Sequence, residues 1–172
     1  MLFSSAGAMR LVLQRVRSAS VSVDDKMISS INTGILALVG LHEDDTLQDC
    51  LYCAKKLCAS KLWENEDGKP WRKSVKQLEY DVLLVSQFTL LGDVSNKKHA
   101  PDFKLSMKSA QALVAYEEFK SLVVAEYGNQ DRIKEGIFGT KMDVALVNDG
   151  PVTLVVDSPR HARSTLNTSD VT

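Results

Sequence analysis

The sequence predicts an α+β domain in which antiparallel-rich sheets are joined by two principal helices. Three observations point there. Alternating or continuous apolar runs of strand length fill residues 10–40, with turn residues between them. Two longer segments, starting near Thr46 and Lys104, repeat apolar residues at helical spacing. Further strand-like runs then close the chain between residues 133 and 156.

Residues 10–16 alternate and read as a strand, and Ala19, Val21 and Val23 alternate again. Asp24-Asp25-Lys26 turns the chain into a strand over 27–31, and Asn32-Thr33-Gly34 turns it once more. The unbroken apolar run 35–39 fits a strand buried on both faces. Asp45 or Thr46 can cap a helix whose inner face is Leu47, Leu51, Ala54, Leu57 and Cys58. Lys61-Leu62-Trp63, the turn Glu66-Asp67-Gly68 and a strand over 81–86 follow. A polar loop at 92–100 leads to the second helix, 104–127, with Ala110, Leu113, Val114, Phe119, Leu122 and Val123 toward the core. Gly128-Asn129 supplies its C-terminal breakers. Strands over 133–138, 142–147 and 152–156 complete the domain. Between the last two, Asn148-Asp149-Gly150-Pro151 reads locally as a hairpin turn, because Asp and Gly tolerate positive φ. The proline is unusual there, since it offers no N–H to a ladder.

The chain has 172 residues, 44% of them hydrophobic, enough for one domain with a real core. No apolar run approaches the ~20 residues of a membrane span, so a soluble, cytoplasmic protein is expected. Residues 1–8 lack the charge and apolar stretch of a signal peptide and read as a short extension. The domain then covers 9–157, and the polar tail 158–172 is expected to be disordered. A net charge of −1 projects no field toward nucleic acid, so an RNA partner would need a local basic patch. Arg72, Lys73 and Lys76 form one candidate, and Lys97, Lys98, His99, Lys104 and Lys108 another.

Cys50, Cys53 and Cys58 fall in one predicted helix. The C-x-x-C spacing admits zinc or redox chemistry, but zinc needs four ligands and no second Cys/His pair is suitably placed. Packing cysteines in a reducing compartment are the simpler reading. His42, His99 and His161 sit in no motif, and no G-x-S-x-G elbow occurs. Neither a metal-ligand spacing nor a Gly-rich phosphate loop is present, so no metal or organic cofactor is expected.

Two separated motifs carry more. One is Val85-Ser86-Gln87-Phe88-Thr89-Leu90, at the end of an apolar run. The other is Phe138-Gly139 and Met142 leading into Asn148-Asp149-Gly150-Pro151-Val152-Thr153. Together they resemble the D-aminoacyl-tRNA deacylase family, enzymes that hydrolyse the ester between a D-amino acid and the 3′ end of a tRNA. The likeness covers residues 9–157. Residues 9–16 resemble the family's first strand and 34–40 its third, with Gly68-Lys69 as a turn and Pro101-Asp102-Phe103 before the long helix. Two departures stand out. Ala100 precedes Pro101 where the family usually has a basic residue and glycine, and Pro70-Trp71 replaces a methionine and asparagine.

The resemblance implies a barrel-like or two-sheet core, a homodimer, and the aminoacyl-tRNA 3′ end as partner. An aminoacyl ester is activated, and the vicinal 2′-hydroxyl can assist water, so backbone N–H groups suffice for positioning and oxyanion stabilisation. The resemblance puts those N–H groups around Phe88 and Thr89, supported by Ser86 and Gln87. The Thr89 hydroxyl is a nucleophile on one reading and a β-branched strand residue on another. Phe88 is either a ligand platform or core. The resemblance further implies a cis Gly150-Pro151 that enters the partner's site, rejects an L-amino acid and lets glycine pass. Arg15 resembles the arginine that orients this loop, a surface residue otherwise. Met142 and Phe138 resemble pocket residues, with core packing as the alternative. Two other functions stay open: a non-catalytic nucleic-acid-binding module on the same fold, and an esterase acting on small D-amino acid esters.

Overall fold

One long strand organises the molecule. The computed structural model describes residues 8–159. In β1 (Arg10–Val23) the alternation buries Leu11, Leu13, Val16, Ala19 and Val21. One edge of β1 pairs antiparallel with β8 (Asp143–Asp157) along nearly its whole length. Its other edge pairs first with β3 (Gly34–Gly40), as far as Val16 opposite Gly34, and then with β2 (Lys26–Ile31), from Ala19 opposite Ile31. Beyond β3 the sheet adds β6 (Asp81–Ser86) and β7 (Ile133–Glu135), both in parallel register. The result is a nearly closed, barrel-like six-stranded sheet, with β4 (Lys61–Trp63) and β5 (Lys73–Ser74) as a small second sheet. The expected α+β class with antiparallel-rich sheets is what forms.

The continuous apolar runs are buried on both faces, and the period of two divides them. Ile35, Ala37 and Val39 of β3, with Val82 and Leu84 of β6, face the helices. Leu36, Leu83 and Val85 point the other way, into a smaller cluster with Val16, Val21 and Ile31. Gly34 has no freedom to be larger, because a Cβ there would lie 2.0 Å from the Asp81 carbonyl oxygen.

Two helices lie against the larger cluster, α1 (Leu47–Ala59) and α2 (Ser109–Tyr127). Thr46, and not Asp45, caps α1: its N–H and hydroxyl both donate to the Asp49 carboxylate at 2.8 Å. Asp45 instead accepts from the His42 N–H at 2.6 Å, and burial pushes its carboxyl up to about 7. The inner face of α1 differs from the expected one. Cys50, Cys53, Ala54, Leu57 and Cys58 are buried, whereas Leu47 and Leu51 are exposed. The cysteines are free and serve as packing residues, and burial holds their thiols far above the ordinary range, Cys50 and Cys58 to about 12.

The second helix starts five residues later than its apolar pattern suggests. The Leu105 carbonyl accepts from the Glu43 N–H at 2.9 Å and the Met107 N–H donates to the Leu41 carbonyl at 3.0 Å, which keeps this stretch extended. Its buried stripe is Ala112, Tyr116, Phe119, Val123 and Tyr127. Of the residues expected inside, Ala110, Leu113 and Val114 face solvent, because a stripe based on Tyr116 and Phe119 turns them outward. Gly128 ends α2 in the left-handed conformation, φ +84°.

The expected hairpin at residues 148–151 is not one. Both halves of β8 pair antiparallel with the same strand, Asn148–Asp143 against Val16–Ser22 and Thr153–Asp157 against Gln14–Arg10. The chain therefore keeps its direction, and residues 149–152 loop out of a single strand opposite Arg15. The turn chemistry of Asp149-Gly150-Pro151 makes this protrusion, with Gly150 at φ +115° and a cis Gly150–Pro151 peptide. One further backbone bond, Ser158 N–H to the Met9 carbonyl at 2.9 Å, extends the β1–β8 ladder. The rest of the tail, 160–172, and residues 1–7 of the extension lie outside the described residues.

Candidate active site

A cavity of about 680 Å³ opens where β6 ends, between that strand, the start of α2 and the turn at 138–142. The sheet delivers Ser86 to its wall, and the Gln87 N–H makes one last ladder bond to the Val39 carbonyl at 2.8 Å. After that the chain leaves the sheet. Residues Phe88–Leu91 form a 3₁₀ turn, whose first N–H groups, on Phe88 and Thr89, have no intrahelical acceptor. Phe88 is not core: it is 58% exposed, lines the cavity, and meets Phe103 edge-on with ring centroids 4.9 Å apart. Its carbonyl accepts from the Ser106 hydroxyl at 3.0 Å, which fixes the Phe88–Thr89 peptide plane.

Phe138 and Met142 close the opposite side. Phe138 also leans on Tyr116, centroids 5.4 Å apart, so it is half pocket and half core. The Met142 sulfur accepts from the Ile137 N–H at 3.3 Å and sits where a Cβ on Gly136 would lie 2.6 Å away. The strand expected to reach Phe138 stops at Glu135, because residues 137–140 turn to bring Phe138 to the cavity.

Thr89 is exposed and is not among the residues that line the cavity; its hydroxyl accepts from the Gln87 side-chain amide. Among the described residues no histidine, aspartate or glutamate lines the cavity. His42 is buried, with its Nδ1 accepting from the Asp44 N–H at 3.0 Å. Among the described residues no cluster of three or more His, Cys, Asp or Glu could hold a metal ion.

Arg15, Gly150 and Pro151 are not at this cavity. They form a second constellation. Asn148 ties the base of the loop with four hydrogen bonds. Its amide nitrogen donates to the Arg15 and Val152 carbonyls (3.0 and 3.2 Å), and its oxygen accepts from the Gln14 amide and the Thr153 hydroxyl (both 3.0 Å). Arg15 Nε lies 3.0 Å from an Asp149 carboxylate oxygen, and Arg17 Nε lies 3.5 Å from the other. Arg15 also donates to the Leu62 carbonyl of β4. The loop is thus braced from behind on several sides, yet Gly150 and Pro151 themselves are exposed. Around them β8 exposes Val147, Leu154 and Val155, the last by 61%.

Sequence reasoning gave no site role to Arg17, Gln14 or Ser106, and placed Phe103 only in the segment before the long helix. A strand-face argument could have found Arg17, which shares the side of β1 that carries Arg15. Ser106 had no such signal, since its role depends on the non-helical path of residues 105–107.

A family model described as D-Tyr-tRNA(Tyr) deacylase matches residues 12–157. A D-aminoacyl-tRNA deacylase of Dictyostelium discoideum is 41% identical over 151 residues, spanning 87% of this chain and 98% of that protein. The Drosophila melanogaster enzyme of the same description is 44% identical over 151 residues, spanning 88% and 93%. Among solved structures, one described as c-Myc DNA Unwinding Element Binding Protein superposes with a TM-score of 0.83 at 39% identity, covering 88% of this chain and 99% of that one. Because the matched region contains both motifs, the cavity and the braced loop, the chain belongs to the D-Tyr-tRNA(Tyr) deacylase family, hydrolases that act on aminoacyl-tRNA.

Proposed function

We propose that the enzyme is a cytoplasmic homodimer in which each active site combines the cavity of one subunit with the Gly150–Pro151 loop of its partner. The observation that carries this reading is the separation of the two constellations. The cavity offers a mostly apolar wall beside the start of the 3₁₀ turn, while the loop is braced by Asp149 and Asn148 and exposes Gly150 and Pro151. The exposed Val147, Leu154 and Val155 beside it suit a surface buried against a second copy. The three free cysteines accord with a reducing compartment.

In this site the Phe88 and Thr89 N–H groups hold the ester carbonyl as its oxygen gains charge. Water attacks with help from the substrate's own 2′-hydroxyl, so no protein base is needed. The loop's main chain meets the α-amino group and walls off one direction at Cα. Amino group, carbonyl and hydrogen fix three directions, leaving space for a side chain of only one hand. Glycine has no side chain to exclude, so glycyl-tRNA is a substrate too.

Deacylation of matched D-, L- and glycyl-tRNA tests the reading. The D and glycyl esters should be cleaved and the L ester spared; equal rates on D and L would defeat it. A second reading draws on the solved structure described as a DNA-unwinding-element binding protein: a nucleic-acid-binding module on the same fold. That reading requires tight, sequence-dependent binding of duplex DNA by a protein that discriminates between no esters.

A further inference from the structure

We infer that Lys108 and Lys141 form a phosphate clamp at the mouth of the cavity, gripping the phosphodiester backbone next to the terminal nucleoside of the tRNA. The inference rests on the aminoacyl-ester hydrolase reading and adds how that site distinguishes an RNA-borne ester from a free one. The cavity wall is mostly apolar, with Phe88, Phe103, Met107, Phe138 and Met142 suited to a nucleobase and an amino-acid side chain. Among the described residues that line it, the side chains of charged type are two, and both are lysines. The chain as a whole has a net charge of −1, so this local excess is not a reflection of overall composition.

The two lysines come from different elements. Lys108 immediately precedes α2, and Lys141 belongs to the turn that carries Phe138 and Met142. Both are exposed, and neither has an acidic partner among the described residues. Lys104, in the same segment as Lys108, is by contrast neutralised by Asp102 at 2.7 Å. A concave site lined by one sign of charge concentrates ligands of the opposite sign. An adenosine ester without phosphates offers nothing for this charge, whereas the tRNA 3′ end has an anion on the linkage to every nucleoside. The clamp positions and selects; it takes no part in the chemical step.

The test compares D-aminoacyl-tRNA with the matching 3′-O-D-aminoacyl-adenosine, which has the same ester and no phosphate. Lys108→Gln and Lys141→Gln should each lower the ratio of kcat/KM for tRNA over adenosine ester about fivefold, and the double variant about twenty-five-fold. The dependence of log KM on log salt for the tRNA ester should flatten by roughly 0.7 for each lysine removed, as for contacts to a single strand. Lys→Arg variants should keep the wild-type ratio and slope. An unchanged ratio, or an equal loss on both esters, would overturn the clamp. Wild-type protein that cleaves neither ester would instead defeat the hydrolase reading beneath it, a pattern distinct from either of those.

Discussion

Phe88→Pro is expected to lower kcat on D-aminoacyl-tRNA by roughly 10²–10³ relative to Phe88→Ala, the cost of one oxyanion donor. Both variants lose the ring, but only the proline also loses the N–H. The backbone does not oppose the substitution with a helical predecessor: Gln87 lies at φ −146° and ψ 79°, outside the α region, and Phe88 is the first residue of its 3₁₀ turn. Thr89→Ala is the companion experiment. It should stay within about fivefold of wild type, because the Thr89 hydroxyl accepts from Gln87 and, among the described residues, no histidine or carboxylate lines the cavity to activate it. Single-turnover deacylation, with thermal unfolding to confirm the fold, measures all three. Equal rates for Phe88→Pro and Phe88→Ala would remove the N–H from the mechanism. Loss of several orders of magnitude in Thr89→Ala would make its hydroxyl the nucleophile.

Gly150→Ala should collapse the discrimination between D and L esters. At φ +115° an L side chain is strained whatever the space around it. Here space is also absent: a Cβ would lie 2.9 Å from the Val152 Cγ2, 3.1 Å from the Val152 backbone nitrogen and 3.3 Å from Arg15 Nη2. Val152 can rotate, but the backbone nitrogen cannot, so the loop must shift against its Arg15–Asp149 brace. Strain of about 1–3 kcal/mol corresponds to a roughly 5- to 150-fold fall in the D-to-L ratio of kcat/KM, if the wall yields by that amount. Stability should change less than selectivity, because the loop protrudes from the sheet and its neighbours keep their pairing. An unaltered D-to-L ratio in a folded Gly150→Ala enzyme would show that the loop is not the chiral wall.

Much of the scaffold was legible because burial imposes a period. The run at 35–39 and residues 82–85 of the strand at 81–86 are apolar throughout, and both are enclosed on two faces. Ser86 and Gln87 could be placed at the end of a strand for the same reason. What failed had a common physical origin, which is that local chemistry does not name its partner. Asp149-Gly150-Pro151 has real turn chemistry, yet both flanking halves pair with β1, so the turn became a protrusion and not a hairpin. Residues 104–108 have helix-compatible composition, but their backbone bonds go to Leu41 and Glu43. The cysteines pack as expected, but they take the inner face of α1 and leave Leu47 and Leu51, expected there, at the surface. Of the site, the two motifs were readable in the chain. The distance between them, and the contributions of Phe103, Ser106 and Asn148, required the fold.

The central claim is that cavity and wall come from different subunits, and a mixed dimer tests it most directly. One subunit carries Phe88→Pro, with a disabled cavity and an intact loop. The other carries Gly150→Ala, with an intact cavity and a damaged loop. If the loop serves its partner, one site of the mixed dimer combines both defects and is silent, while the other is wholly native. The purified heterodimer should then cleave D-aminoacyl-tRNA at about half the wild-type rate and spare the L ester, although the Gly150→Ala homodimer accepts both. If the loop serves its own subunit, the sole working cavity sits beside a damaged wall, and hydrolysis of L-aminoacyl-tRNA by the heterodimer would contradict the cross-subunit site.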